Sequence, residues 1–226
     1  MIIKSMRNNK CTVLMLLLSL TRAHMPIDCF EKSVLVGDSR SVDDIQLVGG
    51  TLVETSDLEL IERLGPDHEL TSVKVCTDRA VTYIRGTQVT YGIFDAAGEI
   101  VKAVSLYPYG EVDQATSVCT NFYIPKDDFL STILIRYNAN VISQLWLTSR
   151  NGISASYGVA YENDAYVVGQ FSRESYFFYG FQGRVRLKEG DANHHLEALG
   201  LVKYDFTCLR DEKARLINDF SWGVES

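Results

Sequence analysis

The chain has 226 residues, 46% hydrophobic and 23% charged, enough for one sizeable core with room for a small appendage beside it. Twenty-two Lys and Arg stand against 29 Asp and Glu, a formal net charge of −7. That balance argues against a nucleic-acid backbone as partner, which would want a basic face, and favours solubility, with the oligomeric state left open.

Lys4, Arg7 and Lys10 open the chain, an apolar run from Cys11 to Leu20 follows, and Thr21-Arg22-Ala23 closes it on small residues. A basic, then apolar, then small-residue order predicts a secretory signal peptide over residues 1–23, cut between Ala23 and His24, and hence a secreted, extracellular protein. A buried N-terminal helix or a signal anchor is the alternative. The run is too short to span a bilayer, and no later segment approaches the ~20 apolar residues of a membrane helix. Loss of the signal removes Cys11 and leaves Cys29, Cys76, Cys119 and Cys208, an even number that predicts two disulfides in an oxidising compartment. Three connectivities are open. The near-terminal positions of Cys29 and Cys208 favour that pair, with Cys76 and Cys119 as the second; four buried thiols are the alternative. None of the four lies in a C-x-x-C pair, so zinc and thioredoxin-type chemistry lack support. No Asn is followed two positions on by Ser or Thr, so N-glycosylation is not expected.

After an N-terminal extension (24–44), Ser56 offers a cap for a one- or two-turn helix over Asp57–Leu64, which Gly65-Pro66 stops. Strands are expected at Leu70–Val75, Gln88–Tyr91, Glu99–Tyr107, Phe122–Ile124, Phe129–Tyr137, Val141–Thr148, Tyr176–Phe181 and Leu196–Tyr204, from alternation and β-branched or aromatic content. Residues 209–226 form a C-terminal extension, in which Ala214, Leu216, Ile217 and Phe220 fall loosely on one helical face; a packed helix and a frayed tail are both open.

Three segments share one plan: an alternating strand, a polar turn, then apolar-x-x-apolar leading a second strand. The first runs from Leu70 to Gly92, with Val73 and Val75, then Val81-x-x-Ile84. The second runs from Leu130 to Gly152, with Ile133 and Ile135, then Ile142-x-x-Leu145; the third leads from Phe178 to Leu196-x-x-Leu199. Three such hairpin units can turn their apolar faces inward around a pseudo-threefold axis, leave polar alternates outside, and gather their turns at the ends of a prism.

At these residues the chain resembles the jacalin-like lectin family, closest to its secreted zymogen-granule type. The resemblance spans about residues 45–206 and is carried by Leu70-Thr-Ser-Val-Lys-Val75, by Asn121 to Gly152, by Phe178-Tyr-Gly-Phe-Gln-Gly-Arg184 and by Leu196-Glu-Ala-Leu-Gly-Leu201. It implies an all-β domain over 45–208, a β-prism of three Greek-key sheets with pseudo-threefold symmetry and short helical flanks. It also implies carbohydrate binding by a glycine-x-x-x-aspartate loop before the last strand, helped by an early glycine-rich loop. The matching positions here are Asn193-His194-His195-Leu196-Glu197, with Gly190-Asp191 lengthening the loop, and Gly49-Gly50 standing for the early loop. Asn replaces the glycine, and Glu keeps the acceptor pair on an arm one methylene longer. Thr82 and Ser143 occupy the corresponding aspartate positions of the other two units, so extra copies of the site are not expected.

Outside that loop the chemistry is sparse. His194-His195 point to opposite faces if extended and do not chelate one ion together. Asp127-Asp128 and Asp43-Asp44 read as charged turns, without regular calcium-ligand spacing. No nucleophile elbow, H-E-x-x-H or phosphate loop appears, so no enzyme, metal or cofactor is expected. The partners expected are glycans or glycoproteins. A secreted β-prism that engages proteins or matrix without binding sugar is the second reading.

Overall fold

The computed structural model describes residues 29–37, 51–61, 63–64, 67–139, 141–172, 174–187 and 194–208. Along the chain the strands are β1 (Phe30–Lys32), β2 (Val36–Gly37), β3 (Thr51–Ser56), β4 (Glu69–Thr77), β5 (Ile84–Phe94), β6 (Ile100–Ser105), β7 (Tyr109–Gly110), β8 (Val118–Tyr123), β9 (Leu130–Tyr137), β10 (Ile142–Ser149), β11 (Ser154–Gly158), β12 (Ala165–Gln170), β13 (Tyr176–Leu187) and β14 (His194–Asp205). One short helix, α1 (Leu58–Ile61), follows β3.

Each repeat expected from the sequence supplies the central hairpin of one antiparallel sheet. The sheets run β6-β5-β4-β8, β11-β10-β9-β12 and β1-β14-β13-β3. In the first two, three successive strands are joined by a fourth that returns beside the first, which is the Greek-key order. The third sheet is assembled from both ends of the described chain. β1 pairs β14 from Phe30↔Tyr204 to Lys32↔Val202, and β2 pairs it further along at Val36↔Leu199 and Gly37↔Ala198. Strands from the segment read as an N-terminal extension are therefore hydrogen-bonded into this sheet.

Alternation explains why three sheets make one core. Val73 and Val75 of β4, Ile133 and Ile135 of β9, and Leu199 and Leu201 of β14 are buried in a single apolar cluster. Each such side chain contributes about 1.5–3 kcal/mol on burial. The centre is aromatic on the third wall, where Phe178 meets Phe181 at 5.2 Å and Phe171 at 5.6 Å, ring to ring.

Three sequence expectations differ in detail. Val81 is exposed in a left-handed conformation (φ 59°) and does not lead β5. Asp78 causes this by accepting backbone N–H groups from Ala80, Thr82 and Tyr83, which closes the turn before the strand begins. The outer face of the β9–β12 sheet is not uniformly polar: Trp146, Tyr166 and Val168 are exposed there. The expected helix over Asp57–Leu64 is a single turn, α1, whose Leu58 N–H lies 3.3 Å from the Ser56 hydroxyl. Asp57 itself is fully buried. Residues 206–208 are helical, while the helix expected within 211–220 lies outside the described residues, as does the signal segment.

Both disulfides are present, Cys29–Cys208 and Cys76–Cys119. The second joins directly opposed residues of β4 and β8.

Candidate functional site

Strand register brings together the described residues that adjoin the loop positions singled out by the sequence. Leu187, the last residue of β13, pairs with His194 of β14 on one side and with Thr51 of β3 on the other. Gly49, Gly50 and Asn193 lie outside the described residues, but their immediate successors Thr51 and His194 thus flank one residue at one end of one sheet. His194 and His195 open β14, opposite Leu187 and Arg186.

The same pole gathers the beginnings of β5, β10 and β14. A Cβ placed on Gly37 would meet the Glu197 carbonyl and lie 3.2 Å from Ile142 Cδ1. One placed on Gly110 would meet the Arg85 carbonyl and lie 2.7 Å from Leu196 Cβ. The three walls therefore close tightly here, at the end where the β4–β5 and β9–β10 turns lie.

Glu197 sits just inside the strand. Val185 pairs with Leu196 and Arg184 with Ala198, so Glu197 is the extra residue of a β-bulge. It is only 6% exposed, and its Oε1 lies 2.6 Å from Arg186 Nη2. The carboxylate is thus held from behind by a guanidinium on the neighbouring strand. Nearby, Arg85 makes a second ion pair with the buried Glu111, so two arginine–glutamate pairs underlie the pole. Removing one partner of such a pair strands the other charge, at a cost of several kcal/mol.

Two aspartates that the sequence does not single out as site residues lie beside the other turns, Asp78 within the β4–β5 turn and Asp164 in the β11–β12 connection. Thr82 donates its hydroxyl to Asp78 Oδ2 at 2.9 Å, and Ser143 donates its own to Asp164, which also accepts from Asn138 Nδ2 (3.2 Å) and the Tyr161 N–H (3.0 Å). Burial raises each pKa, but the several donors together outweigh it and hold both carboxyls below their ordinary value. Donors from the chain fill both groups, so they shape turns. In the sequence Asp78 shows only as a turn-type Asp two to five residues before its donors, which many loops carry, and Asp164, 21 and 26 residues after Ser143 and Asn138, gives no local signal.

The most perturbed carboxyl lies away from the pole. Burial pushes the Asp57 pKa up to about 7, opposed chiefly by the hydrogen bond that its Oδ2 accepts from the Phe181 N–H (2.7 Å). Among the described residues, no group of three His, Cys, Asp or Glu side chains is placed to hold a metal ion. No helix of the described residues is long and apolar enough to cross a membrane.

The chain matches no protein-family model and no curated protein. Among solved structures it is similar to a mannose-binding jacalin-related lectin from Ananas comosus, at 15% identity over 78% of this chain and 99% of that one, with a TM-score of 0.49. It is similar to Malaysian banana lectin at 15% identity over 77% and 98% of the two chains, TM-score 0.47. Calystegia sepium agglutinin gives 13% identity over 77% and 96%, TM-score 0.49. Identities and scores are both low, so the description of the chain as an all-β, three-sheet prism rests on its own strand pairing.

Proposed function

We propose that this protein is a secreted lectin that binds carbohydrate, without chemical turnover, through the loops at the hairpin-turn pole of its prism. The observation that carries the reading is the register around Leu187, which sets the residue after Gly49-Gly50 and the residue after Asn193 on either side of one strand end. The resemblance of Asn193 to Glu197 to a sugar loop supplies the ligand class. Gly49, Gly50, Asn193, His194, His195 and Glu197 are the proposed contacts, with Glu197 as the acceptor for vicinal hydroxyls and Arg186 positioning it. Secretion is supported by the signal-like first 23 residues and by two disulfides, which persist in oxidising compartments.

A second reading, a secreted prism that engages proteins or matrix and no sugar, is favoured by the burial of Glu197 against Arg186. A glycan array probed with the mature, clustered protein separates the two. Binding of mannose-type or sulfated glycans above an unrelated control is expected, and its complete absence favours the second reading. Single weak sites need clustering to register, so the protein is presented multivalently. Where binding is seen, Glu197→Gln is expected to weaken it at least tenfold with the melting temperature monitored in parallel. Unchanged affinity would move the sugar to another loop.

A further inference from the structure

The outer faces of the three walls are not alike. Ile133, Ile135, Leu145 and Leu147 point into the core, so their neighbours Leu134, Arg136 and Trp146 point out. Register sets Trp146, Leu134 and Val168 side by side in one row across β10, β9 and β12, and Gln144, Arg136 and Tyr166 in the next. Trp146 is 46% exposed, Tyr166 62% and Val168 42%. A comparable row on each of the other walls is polar, with Gln88, Lys74 and Asn121 on one and Ser56 beside Gln182 on the other.

The exposed rings are fixed in place. The Trp146 indole N–H donates to the Ser154 hydroxyl, and the Arg136 guanidinium lies 5.7 Å from the centre of the Tyr166 ring. A contiguous apolar patch held open to water marks a surface that gains from being covered.

The chain carries a segment with the character, length and starting point to cover it. Residues 209–226 follow Cys208. Two residues earlier, the Phe206 N–H donates to the Ser175 carbonyl at 2.8 Å, and its ring lies 6.2 Å from that of Phe177. Phe177 in turn lies 5.5 Å from Phe129, which immediately precedes β9. The segment therefore leaves the fold beside the start of the exposed sheet. Leu134 is four residues along β9, roughly 13 Å at about 3.3 Å per residue, a gap that residues 209–213 bridge when extended. Beyond them come Ala214, Leu216, Ile217 and Phe220, the apolar face of an expected helix. The charges agree as well. Arg136 is the one charged residue of the two rows, and Asp219 adjoins Phe220. A second copy of the chain would instead bring its own Arg136 to the same patch and set like charges together.

We propose that the apolar face of residues 214–220 docks on this patch, with Ile217 and Phe220 against Trp146 and Val168 and Asp219 beside Arg136. Trp146 and Trp222 are the chain's two tryptophans, so Trp222→Phe leaves Trp146 as the sole indole reporter. In the full chain with that background, adding Ile217→Asp and Phe220→Asp together is expected to raise acrylamide quenching of Trp146 at least threefold and to move its emission to longer wavelength. From the other side of the contact, Tyr166→Ser with Val168→Ser is expected to speed amide hydrogen exchange over residues 214–220 at least tenfold. Val101→Asp, on the exposed edge strand β6, is expected to change neither reading. The two variant pairs perturb opposite sides of the contact, so if one pair unfolds the chain the other decides. Quenching equally fast with and without the Ile217 and Phe220 changes, or exchange over 214–220 indifferent to the Tyr166 and Val168 changes, would overturn the proposal. Shielding of Trp146 that disappears on dilution and ignores Ile217 and Phe220 would overturn it too, and would assign the face to a second copy.

Discussion

Asp57 shows how one side chain ties pH to folding. It sits at the junction of β3 and α1, fully buried, with its Oδ2 on the Phe181 N–H. In the unfolded chain its pKa is near the ordinary 3.9, whereas burial lifts it to about 7 in the fold. The folded state therefore holds the extra proton between these values. This contribution to stability is fully present below about pH 4 and is lost as pH rises through 7, a change on the order of 4 kcal/mol. Urea unfolding of wild type and Asp57→Asn from pH 4 to 8 is expected to show wild type losing stability relative to the variant across that window. Parallel curves would show that the carboxyl does not set the slope. Glu197 is a different case, a nearly buried carboxylate set against a guanidinium. Glu197→Ala is expected to lower stability by about 3 kcal/mol, read as a fall in urea midpoint, because Arg186 would lose its 2.6 Å partner in a nearly buried setting.

At the scale of strands, close approach between walls sets the tolerances. Gly183 of β13 faces the Tyr109 ring, which a Cβ there would strike, and Tyr109 is fully buried with its hydroxyl on the Phe181 carbonyl at 2.9 Å. Gly183→Ala is expected to destabilise by about 2–3 kcal/mol in thermal or urea melts, since the ring has no room to withdraw. A neutral effect would mean that β7 can shift away from β13. The same packing explains what the sequence made legible. The central hairpins β4–β5, β9–β10 and β13–β14 each bury one face, so their residues alternate and their repeat was visible. Strands β1, β2, β11 and β12 gave no comparable signal, because they are short or carry exposed residues on both faces. The site was legible only as a loop position. That Glu197 lies in a bulge and leans on Arg186 follows from cross-strand register, which no local pattern encodes.

The whole molecule is closed by its longest covalent link. Cys29–Cys208 spans 179 residues and Cys76–Cys119 spans 43. Loop-closure entropy predicts roughly 5 kcal/mol from the first and roughly 4 from the second. Paired Cys→Ser variants are expected to show the larger loss for Cys29/Cys208 by urea titration, and the reverse order would point to strain or residual structure in the unfolded chain as the dominant influence.

That link also fixes an orientation. Phe30 pairs with Tyr204 and Tyr176 with Asp205, so both joined cysteines emerge where β13 begins, at the pole away from the β4–β5 and β9–β10 turns. Coupled to a bead or a sensor chip through residues next to Cys29 or Cys208, every copy stands the same way up, its turns facing the liquid. A dense layer of such copies would display like a brush with uniform tips.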